Sequence, residues 1–174
     1  MRASVITISS ELSPPRKRGP GQATRPVSLD PRFRGGDNEK AMKATLSPPA
    51  FAHFIEDWHF SPVLDTGEFV FLSGVTGARA NLSVAADPET QIRDTFQCAQ
   101  DHLRAADLTF DDVVEMTTYH VDLREHLAAF MRVKDEYVAA PYPAWTAIGV
   151  TELITEGTII EIRLIARRTP PQRP

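Results

Sequence analysis

The sequence predicts an α+β domain in which two helices pack on one face of a mixed β-sheet, in the order β-β-α-β-α-β-β. Three observations carry that expectation. Aromatic and β-branched runs recur at both ends of the body, two stretches between them place apolar residues at helical spacing, and Gly, Pro and Asp punctuate the junctions. At 174 residues, 42% hydrophobic and 24% charged, the chain suits one globular domain rather than two.

The elements are justified in chain order. Trp58 to Leu64 and Glu68 to Ser73 read as a hairpin about Asp65-Thr66-Gly67, where glycine supplies the turn geometry. There is room for a further short strand near 54–60. Ser73-Gly74 closes the second strand with small residues that let a backbone or a ligand approach. Asp87 caps the first helix, and Pro88 is tolerated in its first turn. Ile92, Phe96, Ala99, Leu103 and Ala106 then form an apolar stripe, with Cys98 beside it as a packed thiol. Val113 to Val121 is a β-rich run. Leu127, Phe130, Met131, Lys134, Tyr137 and Val138 mark the second helix, which Pro141 and Pro143 end. Trp145 to Val150 and Thr158 to Ala166 are the closing strands, and the second carries a lone carboxylate, Glu161. A charge inside Ile159-Ile160-Glu161-Ile162 costs desolvation free energy unless a partner or ligand meets it.

Charge and composition exclude several function classes. The net charge of −4 divides into +4 over residues 1–41 and −8 over 42–174. An acidic body is a poor platform for phosphate backbones, so no nucleic-acid partner is expected. No apolar run approaches the roughly 20 residues of a membrane-spanning helix, and the first ten residues are too short an apolar stretch for a secretory signal. A cytoplasmic protein without a membrane partner is the expectation. A single cysteine excludes an internal disulfide and a multi-cysteine metal site. His53, His59, His102, His120 and His126 lack metal-ligand spacing, and there is no glycine-rich phosphate loop.

Residues 1–41 hold five of the 14 prolines, four of the nine glycines and one aromatic, Phe33, without helical or alternating periodicity. Disorder is the physical reading. Leu29 to Asp37 also resembles translated bacterial repeat DNA ahead of a misassigned start, which makes Met42 the expected first residue. The expected organisation is a tail or misassigned start at 1–41, one domain at 42–169, and a short proline-rich tail at 170–174.

The closing segment resembles the C-terminal signature of the Rid family (reactive intermediate deaminases, also called YjgF-like). Tyr142-Pro143-Ala144 and Thr146 match its aromatic-Pro-Ala-Arg-Ser/Thr run, Glu161 its later glutamate, and Ala166-Arg167-Arg168 its Ala-x-Arg. The resemblance spans roughly residues 50–168. It implies a Rid/chorismate-mutase-like sheet, assembly into a barrel-like homotrimer, and small-molecule clefts between subunits. It also implies hydrolysis of 2-enamine or 2-imine acids to 2-oxo acids and ammonia, with no cofactor and no metal.

Carried over residue by residue, Glu161 corresponds to the carboxylate that positions or activates water, and Ser73 and Gly74 to the cleft backbone. Trp145 stands in place of the carboxylate-binding arginine. Ser61-Pro62-Val63 aligns with Gly-Pro-Tyr, so Val63 replaces a pocket tyrosine. Ala147 and Met131 fall where cysteine and asparagine are common. Indole offers one N–H and no charge, so Trp145 cannot reproduce a bidentate guanidinium grip. Arg163, two residues from Glu161 on the same strand face, is the candidate for a relocated cation; its alternative is a structural or interface charge pair.

Two functional readings stay open at this point. One is a cleft protein that hydrolyses an enamine- or imine-type metabolite, with Glu161 handling water and the standard 2-imino-acid activity lost. The other is a non-catalytic ligand-binding or interaction trimer. The start-site expectation is checked by N-terminal mass spectrometry of the protein from its host: a chain beginning at Met42 is expected, and one beginning at Met1 rejects the idea.

Overall fold

The computed structural model describes residues 43–79 and 81–168; the expectations for 1–41 and 170–174 lie outside them. Strand β1 (Ala44–Leu46) leads through a 3-10 turn into a short helix, α1 (His53–Asp57). Then come β2 (Val63–Asp65), β3 (Phe69–Val75), α2 (Pro88–Arg104), β4 (Val113–Val121), α3 (Leu123–Tyr137), β5 (Ala144–Val150) and β6 (Ile160–Arg167). One six-stranded sheet results, in the order β1-β2-β3-β6-β4-β5. Only β4 and β5 run parallel; the other neighbours are antiparallel. Helix α3 is the crossover that a parallel pair requires. The fold is thus the expected α+β mixed sheet with two long helices.

The local chemistry behaves as the residues dictate. The Asp87 side chain accepts the Thr90 backbone N–H at 2.8 Å and caps α2. Gly67 turns the β2–β3 hairpin at φ 93° while its N–H donates to Asp65 Oδ1 at 2.8 Å. Helices α2 and α3 lie side by side on one face of the sheet. Ile92, Phe96, Ala99 and Leu103 of α2, with Phe130 and Val133 of α3, pack onto Val70, Leu72, Met116, Ile162 and Leu164. These side chains are essentially dry, and burying each contributes about 1.5–3 kcal/mol.

Two expectations near the N-terminus need correction. The stretch near 54–60 contains a helix rather than a strand, and the extra strand is Ala44–Leu46 instead. Phe51, Phe54 and Trp58 sit three and four residues apart, a helical spacing that their aromatic character masked. In consequence β2 starts only at Val63, not at Trp58.

Arg168, in the closing Ala-x-Arg, fastens the hairpin to the end of β6. Its Nε and Nη2 donate to Asp65 Oδ2 at 3.0 and 2.7 Å, and this partner holds the Asp65 carboxyl below its ordinary value of 3.8. A depressed carboxylate stabilises the fold above the unfolded-state pKa and loses that effect as pH falls through the folded value. Asp65→Asn is expected to cost about 1 kcal/mol at neutral pH, because the pair is partly screened by solvent. Chemical denaturation at pH 7 and pH 3 checks it: the difference from the parent protein should shrink at the lower pH.

Candidate functional site

Strand β6 runs between β3 and β4, so both neighbours fix which way its side chains point. Ile160, Ile162, Leu164 and Ala166 are buried toward the helices, and the two-residue period sends Glu161, Arg163 and Ile165 to the uncovered face. Glu161 directly precedes Ile162, the Val75 partner at which the β3–β6 register has shifted. A Cβ on Gly74 would collide with the Glu161 carboxylate, so the acid rests against strand β3 only because residue 74 is glycine. Ser73 directs its hydroxyl away, donating to the Ser61 carbonyl at 2.8 Å. Burial raises the Glu161 carboxyl above its ordinary value of 4.5, and among the described residues no hydrogen bond or neighbouring charge offsets the shift.

Glu161, Ser73 and Gly74 open into a groove walled by Phe51, Phe54, Trp58 and Phe60. Phe54 meets the edge of Trp58 at a centroid distance of 5.5 Å, so α1 presents a continuous aromatic wall. His102 and Cys98 form the floor. The His102 Nδ1–H donates to the Cys98 carbonyl at 2.8 Å, leaving Nε2 as the acceptor of a neutral imidazole. Burial lowers the His102 pKa and pushes the Cys98 thiol up to about 12, which makes the thiol inert as a nucleophile.

A second groove lies on the helix side of the sheet, two strands from β6. Trp145 pairs across the parallel ladder with buried Met116, which places the indole on the helix side. The ring stacks on Phe130 at 5.4 Å, and its Nε1–H donates to Thr118 Oγ1 at 3.0 Å. The same Thr118 hydroxyl donates to the Thr146 carbonyl at 3.4 Å and lies 2.8 Å from His120 Nε2. Burial, with His126 nearby, lowers the His120 pKa to about 4 and keeps the imidazole neutral. Met131, Lys134 and Tyr142 complete the groove. The Lys134 Nζ lies 5.8 Å from the ring centres of both Tyr142 and Trp145 and 2.6 Å from Asp135 Oδ1.

The expected site residues thus divide. Glu161, Ser73 and Gly74 share the first groove, while Trp145 and Met131 share the second. Ala147 follows Trp145 on the same face of β5, and Thr146 points to the opposite face. Val63 does not line a groove: it is fully buried in the core opposite Leu72, and Pro62 faces the ligand groove instead. Arg163 does not join Glu161. Its Nη1 is 3.7 Å from Glu115 Oε1 on β4, because a cross-strand neighbour is nearer than a residue two places along the same strand.

Sequence reasoning missed the aromatic wall, His102 and Lys134 as groove residues. Each had a signal: the Phe51-Phe54-Trp58 spacing, a histidine one turn after Cys98, and a lysine within the apolar stripe of α3. Among the described residues no cluster of three or more His, Cys, Asp or Glu is arranged to hold a metal ion, and no helix is long and apolar enough to cross a membrane.

A mixed sheet with two helices on one face and a carboxylate on the other is an architecture found in known proteins. The family model described as Endoribonuclease L-PSP matches residues 55–168. The RutC family protein YjgH of Escherichia coli is 38% identical over 128 residues, which cover 72% of this chain and 96% of that protein. The solved YjgH structure superposes with a TM-score of 0.66 at 34% identity, over 72% of this chain and 95% of that one. RidA from an Antarctic Psychrobacter has a TM-score of 0.58 at 25% identity, over 63% and 88% of the two chains. The E. coli TdcF structure with bound serine gives 0.57 at 28%, with the same coverage. The chain belongs to the Rid/YjgF family.

The His120 network has a measurable signature. A folded-state pKa of about 4 against an ordinary 6.5 means that the unfolded chain binds a proton that the folded one does not. Stability is therefore lost as pH falls from 6.5 toward 4, by on the order of 2–3 kcal/mol from this group. His120→Gln is expected to flatten that slope in urea titrations from pH 7 to 4; an unchanged slope would reject the assignment.

Proposed function

We propose that this protein is a deaminase-type hydrolase of the Rid/YjgF family, acting on a small enamine or imine in a cleft completed between protomers of a homotrimer. One observation carries the catalytic part: Glu161 is a half-buried carboxyl without a hydrogen-bond partner among the described residues, at the mouth of an aromatic groove, with its pKa raised by burial. A carboxyl raised in this way is suited to proton transfer. The aromatic wall suits a substrate with an unsaturated or apolar side chain.

The chemistry needs only this carboxylate and water. Glu161 takes a proton from water as the oxygen attacks the imine carbon, giving a tetrahedral carbinolamine. Glu161 returns that proton to the nitrogen, the hydroxyl proton follows it as the carbon–nitrogen bond breaks, and the products are a carbonyl compound and ammonia. Gly74 leaves room for the carboxylate against the strand, where among the described residues no hydrogen-bond partner quenches the base.

The placement of the two grooves supports the assembled cleft. Within one protomer Glu161 and Trp145 lie on opposite faces of the sheet and cannot touch one ligand. The uncovered face also carries Phe71, Tyr119, Ile148 and Ile165, side chains that a second copy would shield from water. The bound serine of TdcF supports a ligand of amino-acid size. The second reading, a non-catalytic binding trimer, is favoured by the rigid pose of Trp145, stacked and hydrogen-bonded where the family has its arginine.

Glu161→Gln separates the two. It should lower kcat by about 100-fold or more, within the range of general-base removal, while ligand binding persists. The substitution leaves the fold intact by a simple sign argument. A carboxyl with a raised folded-state pKa lowers stability above that pKa and ceases to do so as pH falls below 4.5, so the variant should melt no lower at pH 7. For the parent enzyme, the acid limb of kcat/KM is expected above pH 4.5. Ammonia release assayed across pH with enzymatically generated imines measures both; turnover unaffected by the substitution would rule Glu161 out as the base.

A further inference from the structure

The Trp145 groove contains a cation that neither the family signature nor the strand pattern supplies. Lys134 sits on α3 in the middle of an apolar stripe, between Met131 and Tyr137, and is only 8% exposed. Lysine is rarely buried to this degree unless its ammonium group is paired. Here the ammonium is held between two aromatic faces, at 5.8 Å from Tyr142 and 5.8 Å from Trp145, with one carboxylate contact at Asp135. An ammonium group has three N–H donors. Among the described residues Asp135 is its sole acceptor, which leaves two donors for the groove.

From this arrangement we infer that Lys134 is the anion-binding residue of the Trp145 groove and receives the carboxylate of the ligand. This rests on the cleft reading above and adds to it the charge of the substrate. The aromatic faces fix the ammonium without consuming its N–H donors, and their low polarity strengthens its attraction for an incoming anion. Asp135, which also lines the groove, holds one N–H at 2.6 Å, and its 64% exposed side chain leaves its charge largely to water.

The geometry also accounts for tryptophan at position 145. A guanidinium there would stand against the Lys134 ammonium, and like charges at that distance repel. An indole instead offers its face to the cation and its N–H to Thr118. The positive charge has moved from the strand to the helix. A lysine grips as a point charge rather than as a planar fork, so it accepts a carboxylate with less control of orientation than arginine would. Orientation then falls to the aromatic walls.

The test follows the Trp145 indole N–H by NMR in the full-length protein, assigned against Trp58→Phe, during titration with 2-oxobutanoate and with its uncharged analogue 2-oxobutanamide. A saturable shift is expected with the acid, with at least tenfold weaker binding of the amide. Lys134→Met should weaken the acid at least tenfold, Lys134→Arg should largely retain it, and Asp135→Asn should hold or tighten it. Equal binding of acid and amide, no shift with the acid, or full binding to Lys134→Met would each overturn the inference. The acid–amide comparison needs no variant, so it decides the question even if Lys134→Met does not fold. Glu161→Gln should abolish turnover but keep the shift, so the catalytic reading and the anion site fail separately.

Discussion

Strand β6 sits between β3 and β4 with a strict two-residue alternation, and the remaining structure is arranged around it. Its even positions from Ile160 to Ala166 close the core beneath α2 and α3, while its odd positions hold Glu161, Arg163 and Ile165 on the uncovered side. A slip of one residue would drive Glu161 and Arg163 into the dry core and expel four apolar side chains. The cost of burying two unpaired charges makes that register inaccessible. The same force that builds the core therefore delivers the carboxylate to its groove.

Position 74 shows how closely the site depends on that register. Gly74 lies where strand β3 departs from regular pairing with β6, and the Glu161 carboxylate fills the space a side chain would need. The acid loses solvent without gaining a partner among the described residues, and its raised pKa is the direct result. Trp145 is the converse case. Its ring stacks on Phe130, its N–H donates to Thr118 and Lys134 lies beside it, so it acts as a fixed wall rather than a reactive group.

Much of the fold was legible from local chemistry. The Asp87 cap, the glycine hairpin, the two apolar stripes and the alternation in β6 each depend on neighbours a few residues away. The site was legible only in part. Glu161, Ser73 and Gly74 converge, but Val63 is drawn into the core and Arg163 pairs with Glu115 across the ladder. Alternation tells which residues share a face, not which neighbouring strand lies beside them. The aromatic run at 51–60 misled for a related reason: Phe and Trp favour strands on average, yet their spacing served a short helix.

By itself, then, the sequence determined the α+β class, the long helices and central strands, the position of the lone carboxylate in an apolar strand, and membership of a family through short motifs. Those features follow from periodicity and residue chemistry, which are local. Only the tertiary structure decided that Glu161 and Trp145 occupy opposite faces, and that the cation near Trp145 is Lys134 rather than Arg163. Both depend on strand order and on helix packing across long sequence separations. Lys134 is 11 residues from Trp145 along the chain, and the two become neighbours only when α3 folds back over β5.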